Sequence, residues 1–194
     1  MFLLWVYGGA KITASNRVIL PQDGFILRKG VINQSGSAAI DLDNIFDTGR
    51  NIYQIDINNL VTSGTADITW QFIDSSGSVL TASNYNSSVV VTQHSNDRDN
   101  ININMGTSAK ILQTTSAVAC NAQILIFNPA NTSLRTKALI LGANLSGSTG
   151  QGFAYGGFEY NATDGVRGFR ISASSGTFSD CDVSCSVLAT ESAG

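Results

Sequence analysis

Charged side chains are scarce in this sequence. Only 13% of its 194 residues are Asp, Glu, Lys or Arg, about half the share found in a typical soluble domain. With 11 basic against 14 acidic residues, the chain lacks the basic stripe with which nucleic-acid-binding proteins displace counterions from phosphates. The 43% of hydrophobic residues excludes a chain that is disordered by its charge, and the shortage of charge excludes a coiled coil.

Histidine and cysteine are scarce as well. The one histidine, His94, lies in a polar stretch between two apolar segments, which favours a solvated loop residue over a catalytic one. Three cysteines are an odd number and too few for a disulfide scaffold. Cys181 and Cys185 would face the same way on a strand, and we expect both, with Cys120, to be buried reduced thiols. We therefore predict no catalytic residue, no metal, no cofactor and no enzyme activity.

Two alternative hypotheses that involve acidic residues are kept beside that expectation. Asp41, Asp43 and Asp47 offer oxygen ligands that would suit calcium, although the spacing does not fit an EF-hand loop, and the alternative is a charged rim at a strand end. A hydrolase acting on surface polysaccharide is a further hypothesis, for which His94, Glu159 and Asp164 are the residues to test.

Small uncharged polar residues supply most of the polarity. Ser, Thr, Asn and Gly together make up 75 residues, and apolar residues alternate with them at period two, as in strands buried on one face. The alternating segments lie at 38–42, 53–57, 68–72, 101–105, 118–126 and 181–187. Turn signals separate them, and Gly77 and Gly176 stand where hairpin turns need a positive φ. The pattern predicts an all-β, antiparallel sandwich with Trp70 and Phe72 as core anchors.

The domain organisation is predicted from changes in composition along the chain. We expect an N-terminal arm or opening strands over residues 1–35, a β-sandwich domain over 36–190 and a frayed tail over 191–194. The chain starts with an apolar run that is too short for a membrane-spanning helix and is not preceded by the basic region of a signal peptide. It would act as an opening strand or as an assembly arm on a neighbouring subunit, with Phe2, Leu3, Leu4, Trp5, Val6 and Tyr7 as the contact residues.

Residues 142–157 are rich in glycine and predict a flexible loop or a hairpin. Aromatic residues follow closely at Tyr155, Phe158 and Tyr160. They are candidates for contact with a glycan, which stacks on aromatic rings. The alternative is a pair of core-facing strand segments around a bend.

Several short motifs in fixed order resemble a known family. They begin with the strand Arg50–Ile57 and with Ile68-Thr69-Trp70-Gln71-Phe72. They continue with a D-x-x-G turn at 74–77, Ser83-Asn84-Tyr85 and Phe127-Asn128-Pro129, and end with an R-I-x-x-S-S-G-x-F hairpin at 170–178. This order is similar to that of β-sandwich virion proteins of tailed bacteriophages, many of them from marine and cyanobacterial phages. The resemblance covers roughly residues 36–188. The last strand departs from the family pattern, because Val187-Leu188-Ala189 stands where an aromatic-glycine pair is usual.

The resemblance implies a jelly-roll-like sandwich, often a homotrimer, mounted on a capsid or a tail and located in the virion after assembly in the host cytoplasm. We expect a capsid decoration or cement protein whose partners are copies of itself and other virion proteins, with no nucleic acid and no membrane among them. The competing hypothesis is a tail fibre or spike module that recognises host glycan.

Overall fold

The chain folds as an all-β protein. The computed structural model describes residues 11–12, 18–19, 25–31, 34–48, 50–93, 98–114, 116, 119–145 and 151–188, and these form strands with no helix among them. The strands are β1 Lys11–Ile12, β2 Val18–Ile19, β3 Phe25–Val31, β4 Ala39–Leu42, β5 Ile52–Thr62, β6 Ala66–Asp74, β7 Tyr85–Gln93, β8 Arg98–Gly106, β9 Ala109–Thr114, β10 Cys120–Phe127, β11 Thr136–Leu145, β12 Gln151–Tyr160, β13 Val166–Ala173 and β14 Phe178–Leu188.

Two antiparallel sheets pack against each other. The larger sheet has the order β3-β14-β5-β10-β11-β12-β7-β8, and the smaller sheet has the order β4-β13-β6-β9. The short strands β1 and β2 pair only with each other. The prediction of an antiparallel β-sandwich is therefore confirmed.

The strand order is that of a jelly roll with additions. If β4 to β10 and β13 are numbered one to eight, the smaller sheet runs one-eight-three-six and the larger sheet contains two-seven and four-five. This is the order of two interlocked Greek keys, which defines a jelly roll. Strands β14 and β3 extend the larger sheet beyond β5, and the hairpin of β11 and β12 is inserted between β10 and β7.

The core between the sheets is aromatic at its centre. Trp70 stacks on Phe169 with ring centroids 4.0 Å apart, and Phe72 and Phe158 lie around this pair at 5.8 and 5.7 Å from Trp70. All four side chains are buried. Since aromatic side chains each bury about 150–250 Å², this cluster supplies much of the hydrophobic stabilisation that holds the two sheets together.

Tyrosine hydroxyl groups satisfy backbone atoms at the edges of this core. The Tyr85 hydroxyl accepts a hydrogen bond from the Phe72 N–H at 2.8 Å and donates to the Leu80 carbonyl at 3.1 Å. The Tyr53 hydroxyl accepts from the Asp47 N–H at 2.8 Å. Burial raises the pKa of Tyr85, so the phenol keeps its proton and its place in the core.

Several sequence predictions about strands and turns are confirmed. The rows of residues predicted to face inward on β5, β6 and β14 are buried. Gly77 and Gly176 have φ values of 90° and 67°, as hairpin turns require. At the first of these turns the Asp74 carboxylate accepts hydrogen bonds from Ser76 and Ser78, and the bonds from Ser76 lower the pKa of Asp74.

The predicted N-terminal unit is described only in part. Residues 25–31 form β3, which pairs with β14 at one edge of the larger sheet, so this portion of residues 1–35 is an opening strand joined to the sandwich. Residues 2–7 and the tail 191–194 lie outside the described residues.

Candidate assembly surface

The two outer faces of the sandwich differ in chemistry. The outer face of the smaller sheet carries charged pairs, in which Arg170 binds the Asp41 carboxylate with two hydrogen bonds of 2.6 and 2.7 Å and Lys110 contacts Asp67 at 2.6 Å. Such pairs on an exposed sheet contribute little to stability, but they keep the surface hydrated. This face therefore has the character of a solvent-facing surface.

The outer face of the larger sheet is apolar where the inserted hairpin crosses it. Four large side chains of β11 and β12 point away from the core: Leu139, Leu141, Phe153 and Tyr155 are 55%, 63%, 65% and 45% exposed. Half-buried Leu125 and Val90 lie beside them on the neighbouring strands. Exposed apolar side chains that form one contiguous patch usually mark an interaction site.

We call the outward residues of this hairpin the hairpin face. Antiparallel register sets them in four cross-strand pairs, because the paired residues of neighbouring strands point to the same side of a sheet. The pairs are Lys137 with Glu159, Leu139 with Gly157, Leu141 with Tyr155, and Ala143 with Phe153. The first row therefore combines opposite charges, and the second and fourth rows combine a large side chain with a small residue. The third row combines two large side chains, Leu141 and Tyr155.

Leu139, Leu141, Phe153 and Tyr155 form an apolar ridge on the hairpin face, and two shallow grooves flank this ridge. One, of about 510 Å³, lies over Gly157 and is bordered by Phe127, Leu139, Ser88 and Glu159. The other, of about 410 Å³, lies beside Phe153 and Leu141 and extends to Asp56 and Asn121 on β5 and β10. The hairpin face thus has both protruding side chains and depressions, the relief that a packed interface needs.

A small charged cluster closes one end of the hairpin face. The Glu159 carboxylate contacts Arg135 at 3.0 Å and Lys137 at 3.7 Å, and all three side chains are at least partly exposed. Because the two basic groups share one carboxylate, each remains accessible to a further acidic group. This end is the charged rim of the patch.

The structure separates the three residues predicted to contact a glycan. Tyr155 lies on the exposed hairpin face, whereas Phe158 and Tyr160 are buried in the core. The contact prediction is wrong for Phe158 and Tyr160, and the alternative of core-facing segments is correct for them. The reason is the period of two, since Tyr155 and Phe158 are three residues apart on β12 and point to opposite faces. The predicted hairpin in residues 142–157 is present as the end of β11 and the start of β12.

The acidic residues considered for calcium bind arginines or a tyrosine instead. Asp43 accepts two hydrogen bonds from Arg167, of 2.7 and 2.6 Å, and Asp41 pairs with Arg170. Asp47 contacts Tyr53. Within the described part of the chain, no group of three or more His, Cys, Asp or Glu side chains is arranged to hold a metal ion. The contacts of Asp41 and Asp43 with arginines agree with the alternative interpretation, in which these residues form a charged rim at a strand end.

The residues considered for hydrolysis do not form one site among the described residues. Glu159 lies on the outer face with Arg135, whereas the Asp164 carboxylate accepts a hydrogen bond from the Tyr160 hydroxyl at 3.0 Å. Burial, and then the contact with Asp164, raises the pKa of Tyr160. His94 lies outside the described residues.

The three thiols are reduced and buried, as predicted. Burial raises the pKa of Cys181 to about 12, so this thiol is neutral and unreactive in the folded chain. Stability that depends on the neutral form is complete below the unfolded pKa of about 8.5 and declines as the pH rises from there towards 12. All three cysteines therefore belong to the buried core.

Sequence reasoning missed most of the hairpin face. Leu139, Leu141, Phe153 and Ala143 were not predicted as contact residues, although one signal was present. The segment 138–141 is apolar at four consecutive positions, which is typical of a strand covered on both faces. In the structure one face of this strand is covered by the smaller sheet and the other is exposed.

Neither a family model nor a curated protein sequence matches this chain. In the part of the chain that the structure describes, we find no helix of the length and apolar character needed to cross a membrane.

Proposed function

We propose that this chain is a structural protein of a bacteriophage virion that decorates or cements the capsid. The observation that carries the proposal is the apolar hairpin face on an otherwise hydrated sandwich. A jelly roll needs eight strands, and the inserted pair β11 and β12 carries four of the most exposed large apolar side chains. An addition of this kind serves contact with other subunits, where interface cores are depleted of charge.

The motifs of the R-I-x-x-S-S-G-x-F hairpin and the D-x-x-G turn support the virion assignment. Both lie on β13, β14 and the β6–β7 region of the sandwich, where they build turns and core. These motifs account for the turns and the core of the sandwich. The hairpin face is the surface by which the sandwich would contact neighbouring subunits. The proposed partners are copies of the same chain and other capsid or tail proteins.

The copy number per particle tests the proposal. In virions purified from the phage that encodes this chain, quantitative gel densitometry should give hundreds of copies. Deletion of residues 1–12, which include Phe2–Tyr7, should abolish attachment to particles while the circular dichroism spectrum of the sandwich is retained. Absence of the protein from the virion would refute the proposal, and normal attachment after the deletion would refute the role of the N-terminal segment.

A second candidate function is recognition of host glycan by a tail fibre or spike. Phe153 and Tyr155 favour it, since they are exposed aromatic side chains on the same face of β12. Here we expect a few dozen copies or fewer per virion and binding to a host glycan array. Tyr155→Ala should weaken that binding by up to about tenfold in affinity, since an aromatic contact is worth about 0.5–1.5 kcal/mol. The absence of any binding at millimolar sugar would exclude this function.

A further inference from the structure

The partner that covers the hairpin face can be inferred from the area of this face and from the residues that it pairs across the two strands. Uncovered, the hairpin face exposes on the order of 500 Å² of apolar side chain, near the upper end of what monomers tolerate. Its charged rim and the half-buried Leu125 and Val90 extend it towards the about 800 Å² per partner of a standard interface. The hairpin face is therefore large enough for one specific protein partner.

We propose that this partner is a second copy of the chain, packed face to face about a twofold axis that runs parallel to β11 and β12 and between them. The inference rests on the proposed assembly role of the hairpin face and names the occupant of that same surface, as a pair in place of the homotrimer that the resemblance implies. Such an axis lays β11 of one copy over β12 of the other. Each residue then faces the residue type of its own cross-strand neighbour, in the second copy.

The cross-strand pairs are complementary under this operation. Leu139 of one copy lies over the groove at Gly157 of the other, and Phe153 lies over Ala143, so that large residues meet small ones in both directions. Interdigitation of large and small side chains is how packed layers fill space. Leu141 meets Tyr155 at the centre, which gives an apolar core.

Charge is complementary at the rim in the same arrangement. Lys137 of each copy faces Glu159 of the other, and this happens twice because the interface is isologous. The intramolecular contact of these two groups is long, at 3.7 Å, and Glu159 is held in place by Arg135. Lys137 is thus free to point towards the second copy. A closed pair also buries the apolar ridge without leaving a face on which further copies could add.

Charge reversal on single copies tests the arrangement. Light scattering coupled to size exclusion should give twice the chain mass of 20.4 kDa for the wild-type chain of 194 residues. Lys137→Glu alone sets two acidic pairs face to face, and Glu159→Lys alone sets two basic pairs face to face. Each should raise the dissociation constant of the pair by at least about tenfold, because like charges across an interface cost several kcal/mol.

An equimolar mixture of the two variants should dimerise again. In the mixed pair every facing combination is opposite in charge, whereas within each variant chain positions 137 and 159 still carry like charges. Recovery in the mixture therefore reports contact between copies and not repair of the intramolecular contact. A mixture that stays monomeric while both variants remain folded by circular dichroism would overturn the proposed axis.

A second pair of variants tests the apolar centre. Leu141→Lys should give a folded monomer, because it places an unpaired charge at the centre of the interface. Leu134→Lys is the matched control, since Leu134 is similarly exposed but lies in the turn before β11, and it should leave the dimer intact. A wild-type mass of one or three chains, or an unchanged dimer in Leu141→Lys, would count against the twofold pair.

Monomeric protein that still attaches to particles would overturn this inference alone, whereas a stable dimer absent from virions would overturn only the proposed function.

Discussion

Replacing Trp70 by alanine should lower the free energy of unfolding by about 3–5 kcal/mol. The side chain is fully buried and stacks on Phe169 at 4.0 Å, with Phe72 and Phe158 as further neighbours. Its removal leaves a cavity between the two sheets that this aromatic cluster cannot close by small movements. Urea unfolding followed by circular dichroism, with the slope of the transition compared between variant and wild type, measures the effect.

Two further variants separate loss of packing from loss of polarity. The indole Nε1 of Trp70 is buried and has no hydrogen-bond partner among the described residues, so Trp70→Phe removes an unsatisfied donor while most of the ring volume remains. We expect it to cost clearly less than the alanine change. Leu134→Ala, at a site that is 52% exposed, should change stability by less than about 0.5 kcal/mol. If Trp70→Ala were as mild as this surface control, the aromatic cluster would not be the centre of the core.

Gly156→Ala should destabilise the sandwich by about 3 kcal/mol, at the upper end of overpacking effects. A Cβ at this position would collide with the Ser88 carbonyl oxygen and would come within 2.7 Å of the Val89 Cα on β7. Both obstacles are backbone atoms, so no side chain can rotate away, and β12 must move from β7. The contact between the inserted hairpin and the β7–β8 portion of the larger sheet would weaken, with faster amide hydrogen exchange in β7 and β12 as the direct readout.

The control for this change is Gly64→Ala. No atom of the described residues lies within 4 Å of the position that a Cβ would take at Gly64, and its φ is not positive. Its stability should stay within about 0.5 kcal/mol of the wild type. Equal effects of the two alanine substitutions would mean that backbone entropy, and not the close approach of β7 to β12, explains the loss at Gly156.

The sandwich could be predicted from the sequence because its signals are local. Alternation at Tyr53 to Ile57 and at Ile68 to Phe72 depends only on one face of a strand being buried, and the positive φ of Gly77 is a property of its own turn. None of these signals depends on which strand becomes the neighbour. That is why strand identity and core direction were predicted together.

The candidate site could be predicted only in small part. Tyr155 was identified as an exposed aromatic residue, but it was grouped with Phe158 and Tyr160 because the three are close in sequence. Leu139 and Leu141 were missed, since an apolar residue on a strand indicates burial and does not say by which surface. The smaller sheet covers only the inner face of β11, where Ala138 and Ile140 are buried, and which residues of the strand take that inner face is a property of the assembled fold.

The sequence by itself determined the fold class, the core anchors, the turns and the shortage of reactive groups, because each follows from composition and from the period of a single strand. Only the tertiary structure decided that β11 and β12 are inserted between β10 and β7, and that Leu139 and Leu141 form one ridge with Phe153 and Tyr155. The antiparallel register of β11 and β12 sets these residues side by side on one face. The apolar hairpin face therefore exists only once the sheet is assembled.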